Sequence, residues 1–233
     1  MKPCSIFLLF LSFIASAVYS QDTITVFFDK DWNEITDKTE AIYYRKAFPE
    51  SNNGYVVNDY YISGKIQMTG LFKSKKLKVQ QGFCTYYFED GQKSSEGMYE
   101  KNKKVGEWTY WFEDGKQKSR GKFIANKKDG EWNYWDEEGF LKDKECFTNG
   151  VIYSAEGFHV NGQKRYSGEY EYGRRQGEWT YWNASGRICY QGNFKNGLKE
   201  GDWIRYFSDS SMTLHYTNGV LDGKPLGGIV RVK

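Results

Sequence analysis

The 233-residue chain carries 33 basic and 30 acidic side chains, 18% aromatic residues, 25 glycines and only 3 prolines, at a mean hydropathy of −0.75. Tyr, Phe and Trp at this density, beside few Leu, Ala and Val, favour many short strands sharing a thin core over helices. The near-neutral balance argues against nucleic acid as a general partner.

Residues 1–20 (MKPCSIFLLFLSFIASAVYS) have a charged start at Lys2, an apolar run over 6–14 and small residues before Gln21. That order predicts a secretory signal peptide, cleaved after Ser20 or after Ala17. The mature protein is then expected in the periplasm, at the outer membrane or outside the cell, since no later run is apolar enough to span a bilayer. Cys84, Cys146 and Cys189 remain, 62 and 43 residues apart, which is neither a disulfide framework nor a zinc pattern.

Residues 21–53 are expected to form an N-terminal β-hairpin cap, with TITVFF and AIYYRKAF as its strands. Between them DKDWNEITDKTE places Asp29, Asp31, Asn33, Asp37 and Glu40 at positions 1, 3, 5, 9 and 12 of a calcium loop. The sixth position needs glycine and holds Glu34. A hairpin turn is therefore expected there, and no metal site.

From residue 54 to 219 the chain repeats. Gly82, Gly106 and Gly130 each open an aromatic strand at intervals of 24 residues, and Gly177 and Gly201 resume the interval. From Gly130 to Gly177 the step is 47, so a degenerate unit one residue short lies between them. Each unit reads as a hairpin: GEWTYWF alternates with period 2, Glu-Asp-Gly turns, KQKSRGKF returns, and a second turn leads on. Successive hairpins predict an all-β, elongated single-layer antiparallel meander of six or seven units, followed by a tail over 220–233. In register, Trp108, Trp132, Trp179 and Trp203 share a column with Cys84, and Tyr110, Tyr134 and Tyr181 form a second. Alternation puts Tyr87, Trp111, Trp135, Trp182 and Tyr206 on the opposite face.

The pattern Gly-x-Tyr/Phe, a loop, Gly-Glu-Trp-x-Tyr-Trp, Asp-Gly and a further glycine six residues on resembles the MORN repeat. More narrowly it is similar to the bacterial MORN-variant proteins of the YwqK-type antitoxin group. The resemblance spans roughly 54–219 and departs from the common motif in having Glu-Trp after the mid-repeat glycine. It implies an elongated sheet with interaction functions and brings no catalytic residues. Choline- and cell-wall-binding modules also stack aromatic hairpins, but with consecutive aromatics, whereas Thr or Asn interrupts Trp-x-Tyr-Trp here.

Three sets of residues are candidates for binding. Lys75, Lys76, Lys103, Lys104, Lys127, Lys128, Arg174 and Arg175 fall at one set of turns, opposite an acidic set, and would make a basic edge along the sheet. Its partner would be an anionic envelope component, with peripheral membrane contact, or a protein. Trp111, Trp135 and Trp182 offer an aromatic face, the alternative being a glycan or cell-wall-binding module. Ala155 and Gly157 replace the Trp and Tyr of the degenerate unit, leaving a bend, a packed-over seam or a shallow pocket, of which the bend is preferred. His159 and His215 belong to no catalytic constellation, and no motif calls for a cofactor. The expectation is a non-catalytic scaffold for protein or envelope-surface binding outside the cytoplasm, with an antitoxin-like role ranked third.

Overall fold

The computed structural model describes residues 23–50, 54–223 and 226–231, so the expected signal peptide lies outside the described residues. The strands are β1 (Ile24–Phe28), β2 (Glu34–Ile35), β3 (Tyr43–Pro49), β4 (Tyr55–Tyr61), β5 (Ile66–Phe72), β6 (Gln80–Tyr87), β7 (Lys93–Glu100), β8 (Lys103–Trp111), β9 (Gln117–Ile124) and β10 (Lys127–Trp135). They continue as β11 (Leu141–Thr148), β12 (Val151–Phe158), β13 (Lys164–Glu171), β14 (Arg174–Trp182), β15 (Ile188–Lys195), β16 (Leu198–Tyr206), β17 (Ser210–Thr217), β18 (Val220–Leu221) and β19 (Leu226–Arg231). All pair antiparallel in one sheet, and from β3 to β17 the order in space is the order in the chain. The result is one open meander. Its ends are dressed: β1 pairs with both β2 and β3, and β18 and β19 return to β17. The segment expected as a tail thus supplies strands that cover much of one sheet edge.

Alternation makes the sheet two-faced. On one face Trp108, Trp132, Trp179 and Trp203 are at most 1% exposed, although among the described residues no second layer covers them. Their burial comes from the neighbouring strands. Trp108 stands opposite Gly97 and Gly121, and a Cβ on Gly97 would lie 2.4 Å from the Trp108 ring. Each indole lies flat on the preceding strand and donates Nε1–H to its backbone: Trp108 to Met98 at 3.2 Å, Trp132 to Lys122, Trp179 to Glu169 and Trp203 to Asn193 at 3.0 Å. Rings then wall the indole in. Tyr99 and Phe123 meet Trp108 edge-on at 5.1 and 6.2 Å, and Phe123 also meets Trp132 at 4.9 Å. The tryptophans therefore alternate with glycine and touch through Phe and Tyr, not through one another.

In the earlier unit Cys84 takes the Trp position and lies over Gly70. Toward β1 the same face becomes aliphatic, with Ala47, Val57, Met68 and Phe72 buried together. There Arg45 grips the nearly inaccessible Asp59 with two hydrogen bonds, of 2.6 and 2.8 Å. Burial pushes the Asp59 carboxyl up, and the guanidinium pulls it back down.

The opposite face mixes polar side chains with exposed apolar ones, among them Phe83 and its cross-strand partner Met98. Cross-strand ion pairs run along it, among them Arg120 with Glu107, Lys164 with Glu156 and His215 with Asp202.

Candidate functional site

The turns β7–β8, β9–β10 and β13–β14 and the longer β5–β6 loop all fall on one edge, because alternate connections of a meander share a side. Ala125 and Asn126 hold φ of 49° and 71°, the two left-handed residues of a type I′ hairpin turn. Successive turns are stitched together. Asn126 donates its N–H to the Lys104 carbonyl at 3.0 Å and accepts from the Lys104 N–H at 2.6 Å through Oδ1. This fixes the backbone of Lys104 and decides where its side chain goes.

The eight expected basic-edge residues divide accordingly. Lys75, Lys76, Lys103, Lys127 and Arg174 are exposed at the edge. Lys104 and Lys128 instead fold inward over the aromatic face, as does Lys199, while Arg175 stays exposed with its guanidinium near the Trp179 ring. Lys104 Nζ stands 4.1 Å from the Trp108 ring centre and donates to Tyr110 Oη at 2.9 Å. Lys128 repeats this over Trp132 at 4.6 Å with Tyr134, Arg175 lies 5.0 Å from Trp179, and Lys199 lies 4.7 Å from Trp203. These lysines roof their tryptophans, and an ammonium on a ring face is a favourable lid for a single layer. Burial pushes the Lys104 and Lys128 ammonium groups below the usual lysine range, while Glu145 pulls Lys128 back up. The same cover drives the Tyr110 phenol up to about 12.

Trp111, Trp135 and Trp182 end β8, β10 and β14 and are half-buried. Register slips by one residue at each of these positions, against β9, β11 and β15. The extra residue of each slip lies in the neighbouring strand, and Trp111 keeps the opposite face: its ring centre is 5.8 Å from Lys93 Nζ, which pairs with Glu96 there. Near the end of β8 a depression of ≈390 Å³ is lined by Tyr110, Trp111, Ser119, Phe123 and Trp132. Trp135 borders a neighbouring depression of ≈640 Å³ with Phe112, Tyr134, Asp143 and Glu145. Lys118 and Lys128 line both. Trp182 lies apart from these depressions, its carbonyl 2.9 Å from His159 Nε2.

The degenerate unit is where the pattern changes most. Ala155 is buried, and Gly157 is no void: Tyr166 lies across it, where a Cβ would come within 2.2 Å of the ring. Strand pairing continues through β11, β12 and β13, so the expected gap is a packed seam. The larger departure is on β11, where Asp143 and Glu145 occupy the inward positions held on β9 by Ser119 and Gly121. Each carboxylate is attached to a tyrosine. Tyr166 Oη donates to Asp143 at 2.7 Å, with Arg165 at 3.2 Å, and Tyr134 Oη lies beside Glu145. Burial and then the adjacent carboxylate push both phenols well above the usual tyrosine range.

Asp143 and Glu145 were not among the sequence candidates, since the aromatic column of the second strands passes through Phe147 and says nothing of the positions between. Placing LKDKECF under KQKSRGKF exposes two acids at small-residue positions.

The remaining candidates have local roles. Asp29 accepts from the backbone of Asp31 and Asn33 at 2.8 and 2.9 Å, and Asp37 caps a 3-10 turn through Thr39 at 2.9 Å. The calcium-like segment is thus a folded turn between β1 and β3. Burial raises the Cys84 thiol to about 11. Among the described residues no helix is long and apolar enough to cross a membrane.

No protein-family model matches the chain, and no curated protein matches it either.

Proposed function

We propose that this protein is a non-catalytic, exported β-repeat scaffold whose exposed basic edge binds an anionic component of the cell envelope. The observation that carries this reading is the division of the cations. Lys104, Lys128 and Lys199 are consumed in covering tryptophans, yet Lys75, Lys76, Lys103, Lys127 and Arg174 stay free at the same edge. Charge that the fold does not use is charge available to a partner, worth roughly 1 kcal/mol per residue near an anionic surface. The recurrence of the glycine–tryptophan unit along one meander supports placing the chain among MORN-like repeat proteins. An antitoxin-like role rests on that resemblance alone and ranks third.

The test is co-sedimentation of the mature chain with vesicles containing phosphatidylglycerol. Binding is expected at low salt, falling steeply as salt rises past the physiological range. Reversing Lys75, Lys76, Lys103 and Lys127 to Glu should abolish it without changing the thermal midpoint by more than a few degrees. Binding that survives both salt and charge reversal would sink the reading.

A further inference from the structure

The face opposite the tryptophans changes character along the molecule. Its cross-strand ion pairs lie on β8–β17: Arg120 with Glu107, Lys144 with Glu131, Lys164 with Glu156 and His215 with Asp202. Over β4–β8 the row nearest the basic edge is apolar instead. Val56 stands opposite Leu71, and Leu71 lies against Gly82 beside Phe83. Phe83 stands opposite Met98 and Met98 opposite Val105. Phe83 and Met98 are 49% and 42% exposed, so a contiguous apolar strip faces outward. Nearer the other edge Tyr60 pairs with the exposed Ile66 in a second apolar row. Between the rows runs a polar strip, from Lys46 on β3 through Asn58, Thr69 and Thr85 to Glu96 on β7.

We infer that this face of β3–β8 is the interface of a two-fold homodimer, in which two copies of the chain stack sheet on sheet. The surface is complementary to itself. A two-fold axis parallel to the strands and passing between β5 and β6 lays β3 of one copy over β8 of the other, β4 over β7 and β5 over β6. Each apolar row then meets its own counterpart. The polar strip, cationic at its β3 end and anionic at its β7 end, is reversed against itself, which brings Lys46 of each copy toward the partner's Glu96. The area is sufficient. Six strands at roughly 4.8 Å, by seven residues at roughly 3.4 Å, cover about 600 Å² on each copy. Twice that, about 1,200 Å², is what the smaller specific interfaces bury. Stacked sheets keep their strands nearly aligned, and each copy supplies the other's second layer there. Because the axis runs along the strands, both basic edges point the same way, so a surface that binds one can bind both.

The dimer does not depend on binding by that edge. Sedimentation equilibrium of the mature chain across the micromolar range tests it. The mass expected is that of two chains, dissociating reversibly on dilution. Phe83→Glu and Met98→Glu should each raise the dissociation constant about thirtyfold or more, as at the centre of an interface. Both side chains are exposed in the single copy, so circular dichroism of each variant should match that of the parent. Ile188→Glu replaces a similarly exposed apolar residue on β15, outside the interface, and should leave the dimer unchanged. Lys46→Glu should weaken the dimer about tenfold, and adding Glu96→Lys to the same chain should restore it. The proposal is overturned by a mass of one chain throughout, by a dimer that survives both Phe83→Glu and Met98→Glu, by equal loss in folded Ile188→Glu, or by no rescue in the charge-reversed pair.

Discussion

At the scale of single residues the fold depends on how closely an indole approaches a backbone. Gly121 is extended, and its missing side chain leaves the space occupied by the Trp132 ring, 2.3 Å from where a Cβ would stand. Gly130 has a different reason to be glycine: φ is +69° and nothing lies within 4 Å of its Cβ position. Gly121→Ala should therefore cost about 1–3 kcal/mol by overpacking, against about 1 kcal/mol of backbone strain for Gly130→Ala. Urea unfolding separates them further, because Gly121→Ala should cost less in a Trp132→Ala background, whereas Gly130→Ala should cost the same in both. Equal, additive losses would contradict the packing account.

His215 gives a second residue-level expectation. Its Nδ1 lies 2.6 Å from Asp202 Oδ1 on the face opposite the tryptophans, and this contact, more than the nearby Asp222 and Glu200, raises the imidazole above its ordinary value. A raised folded-state pKa means that the protonated pair stabilises the fold below the unfolded value of about 6.5 and that the gain is lost as pH rises through the folded value. The pair is exposed, so screening keeps the gain small. An NMR titration should find His215 above the ordinary histidine value in the native chain and returned toward it in Asp202→Asn. An unshifted His215 in both would remove the pair from the account.

At the scale of elements, the hairpin unit and its two kinds of turn were legible in the sequence because each depends on a local signal. Period-2 aromatics, Asp-Gly and glycines at fixed steps specify strand, turn and return without reference to anything distant. The Trp and Tyr columns followed from counting, and Cys84 took the Trp position as the register expected. Two placements were not legible. Lys103 and Lys104 are identical letters side by side, yet one is free and the other roofs Trp108. Their difference is set by the hydrogen bonds of Lys104 to Asn126, 22 residues away. Tyr166 filling the place over Gly157 is a cross-strand event of the same kind. In each case the missing information was which residue of the next strand stands opposite.

At the scale of the molecule, a meander in which each strand touches only its neighbours has stability that is close to a sum of adjacent contacts. The weakest place is then where the aromatic run is interrupted, between β10 and β13, and the repeat itself states what would mend it. A tryptophan on β12 needs a glycine opposite it on β11, as Trp132 has Gly121 and Trp203 has Gly192. Ala155→Trp alone should destabilise, because the new indole would meet Glu145, its cross-strand partner. Glu145→Gly alone should be close to neutral or mildly destabilising, since it removes a strand side chain and frees Lys128. Together the two should add on the order of 1–3 kcal/mol to the stability, the reverse of emptying a buried tryptophan site with allowance for imperfect fit. A double-mutant cycle in denaturant should therefore show favourable coupling above about 1 kcal/mol. A double variant no more stable than the unsubstituted chain would show that the interruption is not the weak point of the sheet.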